Sequence, residues 1–328
     1  MRARLKMCLS GRDLQAATAE KLACWRGRAD CRLMKQADSF LLEAGDSSAR
    51  FFSIGAECRS WRIGTRDMLW AGDRSLWPAV APLLFPVCGW SRDGQIKINN
   101  TLYPMPVHGF ATDALFAAEP MGRDAICFRL RSGPQTHSFY PFDFEFSVTY
   151  RLAPDALEVL LDVENVGAQI MPYACGLHPG FTWNHAAGAH RFVFAEDEPP
   201  HVPVIAPGGL FSARRRPVPV QGRELDLAPS LFAAEALCFL ETRSRRFAFE
   251  GPEGRLSIAA SGFPHLVLWN RQDAPFLAIE SWTGTGDPEG FDGDFRQRPS
   301  MIHLAPGGRN LHAVTYRWQP LGRADVSP

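Results

Sequence analysis

The sequence predicts an all-β protein built as a large antiparallel β-sandwich, and three observations support that prediction. Residues 144–152 alternate apolar and polar side chains with a period of two, which is typical of a strand with one buried face. Residues 157–163 alternate in nearly the same way after the turn signal Ala-Pro-Asp-Ala, which predicts a hairpin. The chain also has 28 glycines and 26 prolines that separate short apolar runs, and no helix of normal length is evident after residue 38.

Further strands are predicted where apolar residues cluster between turns. These runs are residues 247–249, 256–258, 265–269 and 276–279. No repeat of fixed period supports a propeller, and no low-complexity linker divides the chain. We therefore expect one sandwich domain over residues 38–320, followed by a C-terminal tail at 321–328.

Residues 1–37 differ from the rest of the chain and are expected to form an N-terminal extension. An amphipathic helix is predicted there by the spacing of Leu14, Thr18, Leu22 and Trp25. Two other interpretations are a loosely held extension and a native start at Met34. Charged residues interrupt the segment, so a secretory signal is not expected.

Charge and cysteine usage limit the class of partner. The 35 basic and 35 acidic residues cancel, so there is no electrostatic reason to expect nucleic acid or an acidic membrane surface. No run of 18 apolar residues predicts a transmembrane helix. The eight cysteines form no CxxC pair and are irregularly spaced, which favours free thiols in a reducing cytoplasm. We expect a small-molecule ligand and a cytoplasmic monomer or homodimer.

The sequence lacks the common dinucleotide, P-loop, serine-hydrolase and zincin motifs, and three other segments carry candidate chemistry. His108 is followed by Gly109 and is expected at a strand end, and His178 is held by Pro179 between glycines. Glu280 directly follows the apolar run 276–279. Burial raises the pKa of a carboxyl and histidine titrates near neutrality, so such residues can supply a base and an acid at neutral pH.

A series of short segments resembles one known family in both content and order. The segments are Gly55-Ala-Glu57, Leu69-Trp70, Phe85-Pro86, His108-Gly-Phe110, Tyr140-Pro-Phe-Asp-Phe144, His178-Pro179, Ile279-Glu280 and Gly290-Phe-Asp-Gly-Asp-Phe295. From about residue 38 to 318 the chain resembles the galactose mutarotase-like superfamily, and within it the LacX-like branch of the aldose 1-epimerase family.

The resemblance implies an antiparallel sandwich with a carbohydrate groove across one sheet, and it implies mutarotation of a free aldose. By resemblance, Glu280 is the general base on the anomeric hydroxyl and His178 is the general acid toward the ring oxygen. His108 is expected to hydrogen-bond the sugar near the same centre, and Trp282 to stack on the apolar face of the ring. These proton transfers require no metal or redox cofactor, and none is expected.

The sequence departs from the family at two positions. Relatives usually carry arginine where this chain has Trp90, and many carry arginine where it has Thr112. Arg92 is expected to compensate by reaching back to the sugar. Asp287, in the loop after the base, is expected to bind hydroxyls. Without the two arginines, a sugar phosphate is a less favoured substrate.

Two alternative functions and one alternative site remain open at this point. The protein could be a sugar-binding or sensing protein of the same fold with little or no catalysis, or a hexose-6-phosphate 1-epimerase. Residues 287–294 contain four carboxylates among glycines, but their spacing does not match a calcium loop. A turn-forming role is therefore expected there, with no metal.

Overall fold

The computed structural model describes residues 38–271 and 274–321, and strands dominate both ranges. The helix predicted at residues 14–25 lies outside the described residues. Within them, the one α-helix is the short α1 (Pro134–His137). Short 3-10 helices lie at Arg92–Gly94, Ala111–Asp113, Pro229–Phe232 and Phe295–Gln297. In chain order the strands are β1 (Ser39–Ala44), β2 (Ser47–Phe52), β3 (Cys58–Ile63), β4 (Arg66–Asp67), β5 (Leu83–Leu84), β6 (Gln95–Ile98), β7 (Thr101–Pro104), β8 (Ala117–Pro120), β9 (Ala125–Arg131), β10 (Phe144–Leu152), β11 (Ala156–Asn165), β12 (Met171–Tyr173), β13 (Gly176–Leu177), β14 (Gly180–Thr182), β15 (His190–Phe194), β16 (His201–Ala206), β17 (Leu210–Pro217), β18 (Glu224–Leu227), β19 (Leu237–Phe239), β20 (Arg246–Gly251), β21 (Gly254–Ser261), β22 (His265–Trp269), β23 (Phe276–Trp282), β24 (Ile302–Leu304) and β25 (Arg309–Pro320).

The larger of the two main sheets has nine antiparallel strands in the order β18-β15-β20-β21-β25-β11-β10-β9-β8. The predicted hairpin supplies two adjacent interior strands, β10 and β11, whose register runs from Phe144 opposite Asn165 to Leu152 opposite Leu157. The alternating apolar side chains of β10 are buried, as the period of two predicted. The predicted antiparallel all-β sandwich is confirmed.

The second main sheet has six strands, in the order β19-β22-β23-β13-β5 with β14 also paired to β23. The predicted strand 265–269 has the predicted bounds, but the strand predicted at 276–279 continues to Trp282. It continues because β22 pairs with its second half, with His265 opposite Trp282 and Val267 opposite Glu280. Glu280 therefore lies inside a strand, and the expectation that it directly follows one is wrong.

The core lies between the two main sheets and is rich in aromatic rings. Phe181 on β14 contacts Tyr316 on β25, with ring centroids 5.1 Å apart. Phe85, next to β5, stacks on Phe146 of β10 at 4.6 Å. These contacts bury one face of each sheet, so the opposite face of the six-stranded sheet is left to carry a site. Smaller sheets, β1-β2-β3-β4, β6-β7, β12-β24 and β16-β17, complete the described structure.

Two further findings concern the cysteines and the helices of the described residues. The five cysteines within them are free and buried. No helix in this part of the chain has the length and apolar character needed to cross a membrane.

Candidate active site

The two faces of strand β23 divide core residues from site residues. Leu277 lies opposite Phe181, whose ring packs on the nine-stranded sheet, so Leu277 faces the core. Successive side chains on a strand point to opposite faces. Glu280 and Trp282 therefore lie on the other face, together with Val267 and His265, their partners on β22.

Glu280 and His178 meet on this outer face as a buried pair. The distance from Glu280 Oε2 to His178 Nε2 is 3.4 Å, which is longer than a well-formed hydrogen bond. The side chains are 2% and 9% exposed respectively. The indole Nε1 of Trp282 donates a hydrogen bond of 2.9 Å to the same carboxyl oxygen. The other ring nitrogen of His178, Nδ1, is buried and has no hydrogen-bond partner among the described residues.

Burial sets the protonation of this pair. It raises the pKa of Glu280 well above its ordinary value, and the hydrogen bond from Trp282 only partly opposes that rise. Burial also lowers the pKa of His178 well below its ordinary value, and the neighbouring His108 adds to the effect. Both shifts favour the uncharged form of each side chain, and the two groups are close enough to titrate as a coupled pair.

His178 lies between β13 and β14, where its backbone N–H donates to Pro82 O at 3.1 Å. Its ring stacks on Trp77 with centroids 5.0 Å apart and an interplanar angle of 29°. The ring of Trp269 meets it edge-on at 5.6 Å. Two indoles therefore fix the plane of the imidazole and exclude water from it.

His108 lies in a turn and not at a strand end, so that expectation is wrong. Its φ is +65°, and a side chain at the following Gly109 would overlap the carbonyl of Phe85. The backbone N–H of Gly89 donates to His108 Nδ1 at 3.1 Å, so the neutral ring carries its proton on Nε2. The surrounding protein shields the ring of His108 from water, and this desolvation lowers its pKa to about 4. Its ring centroid is 5.4 Å from that of His178.

Trp282 is buried, and its indole leans toward β13, where a Cβ at Gly176 would come within 3.1 Å of it. The predicted stacking of Trp282 on a sugar ring stays a prediction. The structure adds a contact that sequence reasoning missed, the hydrogen bond from Trp282 to Glu280. The signal was present, because residues two apart on a strand share a face.

Asp287 and Arg92 lie in neighbouring loops, and both contact protein groups. Oδ1 of Asp287 is 3.0 Å from Nε of Arg298, and Oδ2 accepts the backbone N–H of Arg92 at 2.7 Å. The side chain of Arg92 donates from Nε to Phe291 O at 2.7 Å. Their predicted roles in sugar binding stay predictions.

Sequence reasoning missed Arg298, whose side chain is fully buried. Its Nη2 donates to Thr285 O at 2.6 Å. A lone arginine in a loop gives no sequence signal of this kind. The ion pair with Asp287 anchors the segment that passes beside Gly89 and Trp90.

The two positions without the expected arginine differ in their surroundings. The ring of Trp90 is 36% exposed and packs against Gly209 in the turn between β16 and β17. Gly89, which precedes it, contacts both His108 and Trp282. Thr112 belongs to the 3-10 helix Ala111–Asp113, and its backbone packs against Gly55. An aromatic side chain therefore lies beside the site where an arginine was expected.

The described residues contain no group of three or more His, Cys, Asp or Glu side chains that could hold a metal ion. What they do contain is a pair of buried groups that can exchange a proton, with His108 close by as a neutral N–H donor. The chemistry that this arrangement can supply from its own side chains is general acid–base catalysis.

The structure is that of an antiparallel β-sandwich protein with a buried glutamate–histidine pair on one sheet. Residues 38–317 match the family model for aldose 1-epimerase, so the chain belongs to the aldose 1-epimerase family. It is 28% identical over 277 residues to the plasmid-encoded protein LacX of Lactococcus lactis subsp. lactis, a match that covers 79% of this chain and 92% of that protein.

Solved structures agree with this assignment. A galactose mutarotase-like protein from Lactobacillus casei is 26% identical with a TM-score of 0.81, over 86% of this chain and all of that one. A galactose mutarotase related enzyme from Lactobacillus acidophilus is 24% identical with a TM-score of 0.79, over 86% and 97% of the two chains, and supports the fold. The resemblance inferred from the sequence is confirmed at the level of the family.

Proposed function

We propose that the protein is an aldose 1-epimerase that interconverts the α and β anomers of a free aldose by opening and reclosing the hemiacetal ring. The observation that carries the proposal is the buried pair of Glu280 and His178, 3.4 Å apart. Ring opening removes a proton from the anomeric hydroxyl and delivers one to the ring oxygen. A pair that holds one proton can perform both transfers without changing its total charge.

The first step of the proposed mechanism prepares the base. The two side chains approach within hydrogen-bond distance and the proton of Glu280 moves to His178 Nε2, 3.4 Å away in this structure, which gives a carboxylate beside an imidazolium. The indole N–H of Trp282 stabilises the carboxylate oxygen. Both charges form next to each other in a dry site, where their attraction is strong.

The second step opens the ring. Glu280 takes the proton of the anomeric hydroxyl while His178 gives its proton to the ring oxygen, and the bond between the anomeric carbon and the ring oxygen breaks. Rotation about the bond from the first to the second carbon presents the other face of the aldehyde. Reclosure reverses each proton transfer, and the pair ends in its starting state.

His108 is proposed to bind an oxygen at the reacting centre. Its Nδ1 is occupied by the N–H of Gly89, so Nε2–H is the donor that remains. Its lowered pKa keeps the ring neutral, so it can polarise an oxygen without competing as an acid. The ring lies next to that of His178, which places this donor close to the pair.

Polarimetry tests the proposal. Freshly dissolved α-glucose and α-galactose should reach anomeric equilibrium faster with catalytic amounts of protein than in buffer alone. If sugars bind, but no member of a panel of aldoses equilibrates faster, the protein is a sugar-binding or sensing protein and the proposal is wrong.

The substrate is proposed to be a free sugar and not a sugar phosphate. Arg298, buried beside the Gly89–Trp90 segment, directs its guanidinium to Asp287 and to backbone carbonyls. Binding a phosphate there would require breaking that ion pair. The protein should therefore catalyse the mutarotation of glucose faster than that of glucose 6-phosphate. A higher catalysed rate for glucose 6-phosphate would contradict the choice of a free sugar.

A further inference from the structure

His265 is a third histidine on the face of the sheet that carries the pair. It opens β22 and lies directly opposite Trp282, while Glu280 lies one step diagonally away, opposite Val267. Such direct partners have Cβ atoms about 4.5–5.5 Å apart and diagonal neighbours are about 7–8 Å apart. His265 is buried, at 5% exposure. His265 and Glu280 are thus diagonal neighbours on one face of the sheet.

The ring of His265 is held through one nitrogen and unpaired at the other. The backbone N–H of Glu241 donates to His265 Nδ1 at 3.0 Å. In the neutral ring the proton must then be on Nε2. This Nε2–H is buried and has no acceptor among the described residues. Buried donors are nearly always bonded, so an unpaired one indicates a missing partner.

The contact with Glu241 is firmly built, which fixes the direction of the imidazole. Glu241 has a φ of +54°, and the next residue, Thr242, donates its N–H to Pro264 O at 2.9 Å. Ser244 N–H donates to the buried carboxylate of Glu198 at 2.7 Å. The loop that carries Glu241 is therefore held by two further hydrogen bonds, and the ring of His265 cannot turn to satisfy Nε2 without giving up the bond from Glu241.

His265 and Trp282 lie on the same face of the sheet as Glu280. The indole of Trp282 leans toward Gly176 on β13, the strand on the side away from His265. Burial, with a smaller effect from Arg245, lowers the pKa of His265 to about 4, so the ring is neutral. A neutral N–H donor suits a hydroxyl oxygen better than an anion.

We propose that His265 is a specificity-determining residue whose Nε2–H binds a hydroxyl of the aldose on the side of the ring away from the anomeric centre. The inference rests on the proposed function for the identity of the ligand. It adds a second point of attachment, since Glu280 and His178 hold one end of the sugar and His265 the other. Because this hydrogen bond is made equally before and during ring opening, it should affect KM and not kcat.

Two substitutions separate this role from a structural one. In His265→Asn the amide oxygen can replace Nδ1 as the acceptor for Glu241, but nothing replaces Nε2. In His265→Gln the amide nitrogen reaches the position of Nε2, and the acceptor for Glu241 is lost. Substrate binding predicts that His265→Asn raises KM about tenfold with kcat within about twofold, while His265→Gln stays near the wild type in KM. A structural role predicts the reverse order, because only asparagine keeps the contact with the loop.

Deoxy sugars identify the hydroxyl and keep the test valid if a variant folds poorly. The 2-, 3-, 4- and 6-deoxy forms of the best substrate are compared with the parent sugar. With the wild type, the KM of one of them should be about tenfold higher than that of the parent sugar. His265→Asn should not raise the KM of that deoxy sugar any further. Independent effects of the substitution and of every deoxy position would overturn the inference.

Calorimetric titration of the same sugars distinguishes this inference from the proposed function. Catalysed mutarotation without any coupling to His265 overturns the inference alone. Sugar binding that couples to His265 without catalysed mutarotation overturns the proposed function alone. Absence of both binding and catalysis overturns both.

Discussion

Two buried carboxyl side chains lie near each other in the sequence and have opposite surroundings. Asp287 is 5% exposed and Glu280 is 2% exposed. Asp287 faces the guanidinium of Arg298 at 3.0 Å and accepts the backbone N–H of Arg92. Glu280 receives one indole N–H and lies beside an imidazole whose pKa is lowered by burial.

The comparison shows that partners, and not burial alone, decide what a buried carboxyl can do. Taking a carboxylate out of water is costly unless a cation and hydrogen-bond donors replace the water. Asp287 has both and anchors a loop. Among the described residues no permanent cation lies beside Glu280, so burial raises its pKa and the carboxyl holds its proton more tightly.

The largest expected effect is that of Glu280→Gln on catalysis. Glutamine keeps the size of the side chain and an acceptor for Trp282, but it cannot take up a proton. Catalysed mutarotation should fall by about 10²–10⁴-fold, measured by polarimetry, while the fold is retained. The matched control is Glu289→Gln, the same change at an exposed position, which should leave the rate within about twofold. An unchanged rate in Glu280→Gln would show that Glu280 is not the base.

Asp287→Asn should act on the stability of the protein and not mainly on catalysis. Asparagine keeps an acceptor for the N–H of Arg92 but removes the charge that faces the buried Arg298. The free energy of unfolding in urea should fall by about 3–5 kcal/mol, because a buried cation is left without its partner. Asp292→Asn, at an exposed position in the same loop, is the control. A double variant with Arg298→Met should recover part of the loss. A stability close to that of the wild type, with a raised KM, would instead support the predicted role of Asp287 in sugar binding.

The pH dependence of stability should also separate Glu280 from an ordinary carboxyl. Its pKa is raised above 4.5 in the folded protein, so folding holds a proton that the unfolded chain releases as the pH rises above that value. The wild type should therefore lose stability relative to Glu280→Gln as the pH rises, by about 1.4 kcal/mol for each pH unit until the folded carboxyl also ionises. Urea unfolding at pH 5 and pH 8 measures the difference. A constant difference between the two proteins would mean that the pKa of Glu280 is not raised.

The smallest expected effect is that of Trp282→Phe. Phenylalanine keeps a ring in place but removes the N–H that stabilises the carboxylate of Glu280. The pKa of Glu280 should rise further, so kcat should fall about tenfold and the alkaline limb of the pH–rate profile should move to higher pH. Trp61→Phe is the control, since it removes an indole hydrogen bond, to Ser47, from the core. A lower rate without a shift of the alkaline limb would indicate a packing defect only.

The hairpin of β10 and β11 was predictable because its signal is local. Each strand alternates apolar and polar residues, and the turn residues lie between them in the chain. Strand β23 was harder to predict, because all seven of its side chains are buried and both of its faces are covered. Because no alternation is present, the predicted strand ends with the apolar run 276–279. Pairing with β22 extends the actual strand to Trp282.

The site was predictable only in part for a related reason. Glu280, His178 and His108 stood out by residue type, and the structure brings all three together. The sequence placed His265 on a predicted strand but not in the site. The backbone N–H of Glu241, 24 positions away, binds Nδ1 of its ring, and Nε2 has no partner among the described residues. Neither fact can be read from the sequence near His265. Arg298 was missed because its partner, Asp287, lies in a different loop.

The sequence by itself determined the class of fold, the hairpin of β10 and β11 and the family, because alternation, turn residues and ordered motifs are properties of the chain. The tertiary structure alone decided that Asp287 faces a guanidinium and that Glu280 faces an indole N–H and an imidazole. Protonation depends on burial and on the nearest charges, and both arise only when distant segments pack together. The fold places the buried Glu280 between Trp282 and His178, with no permanent cation beside it among the described residues, and so raises its pKa.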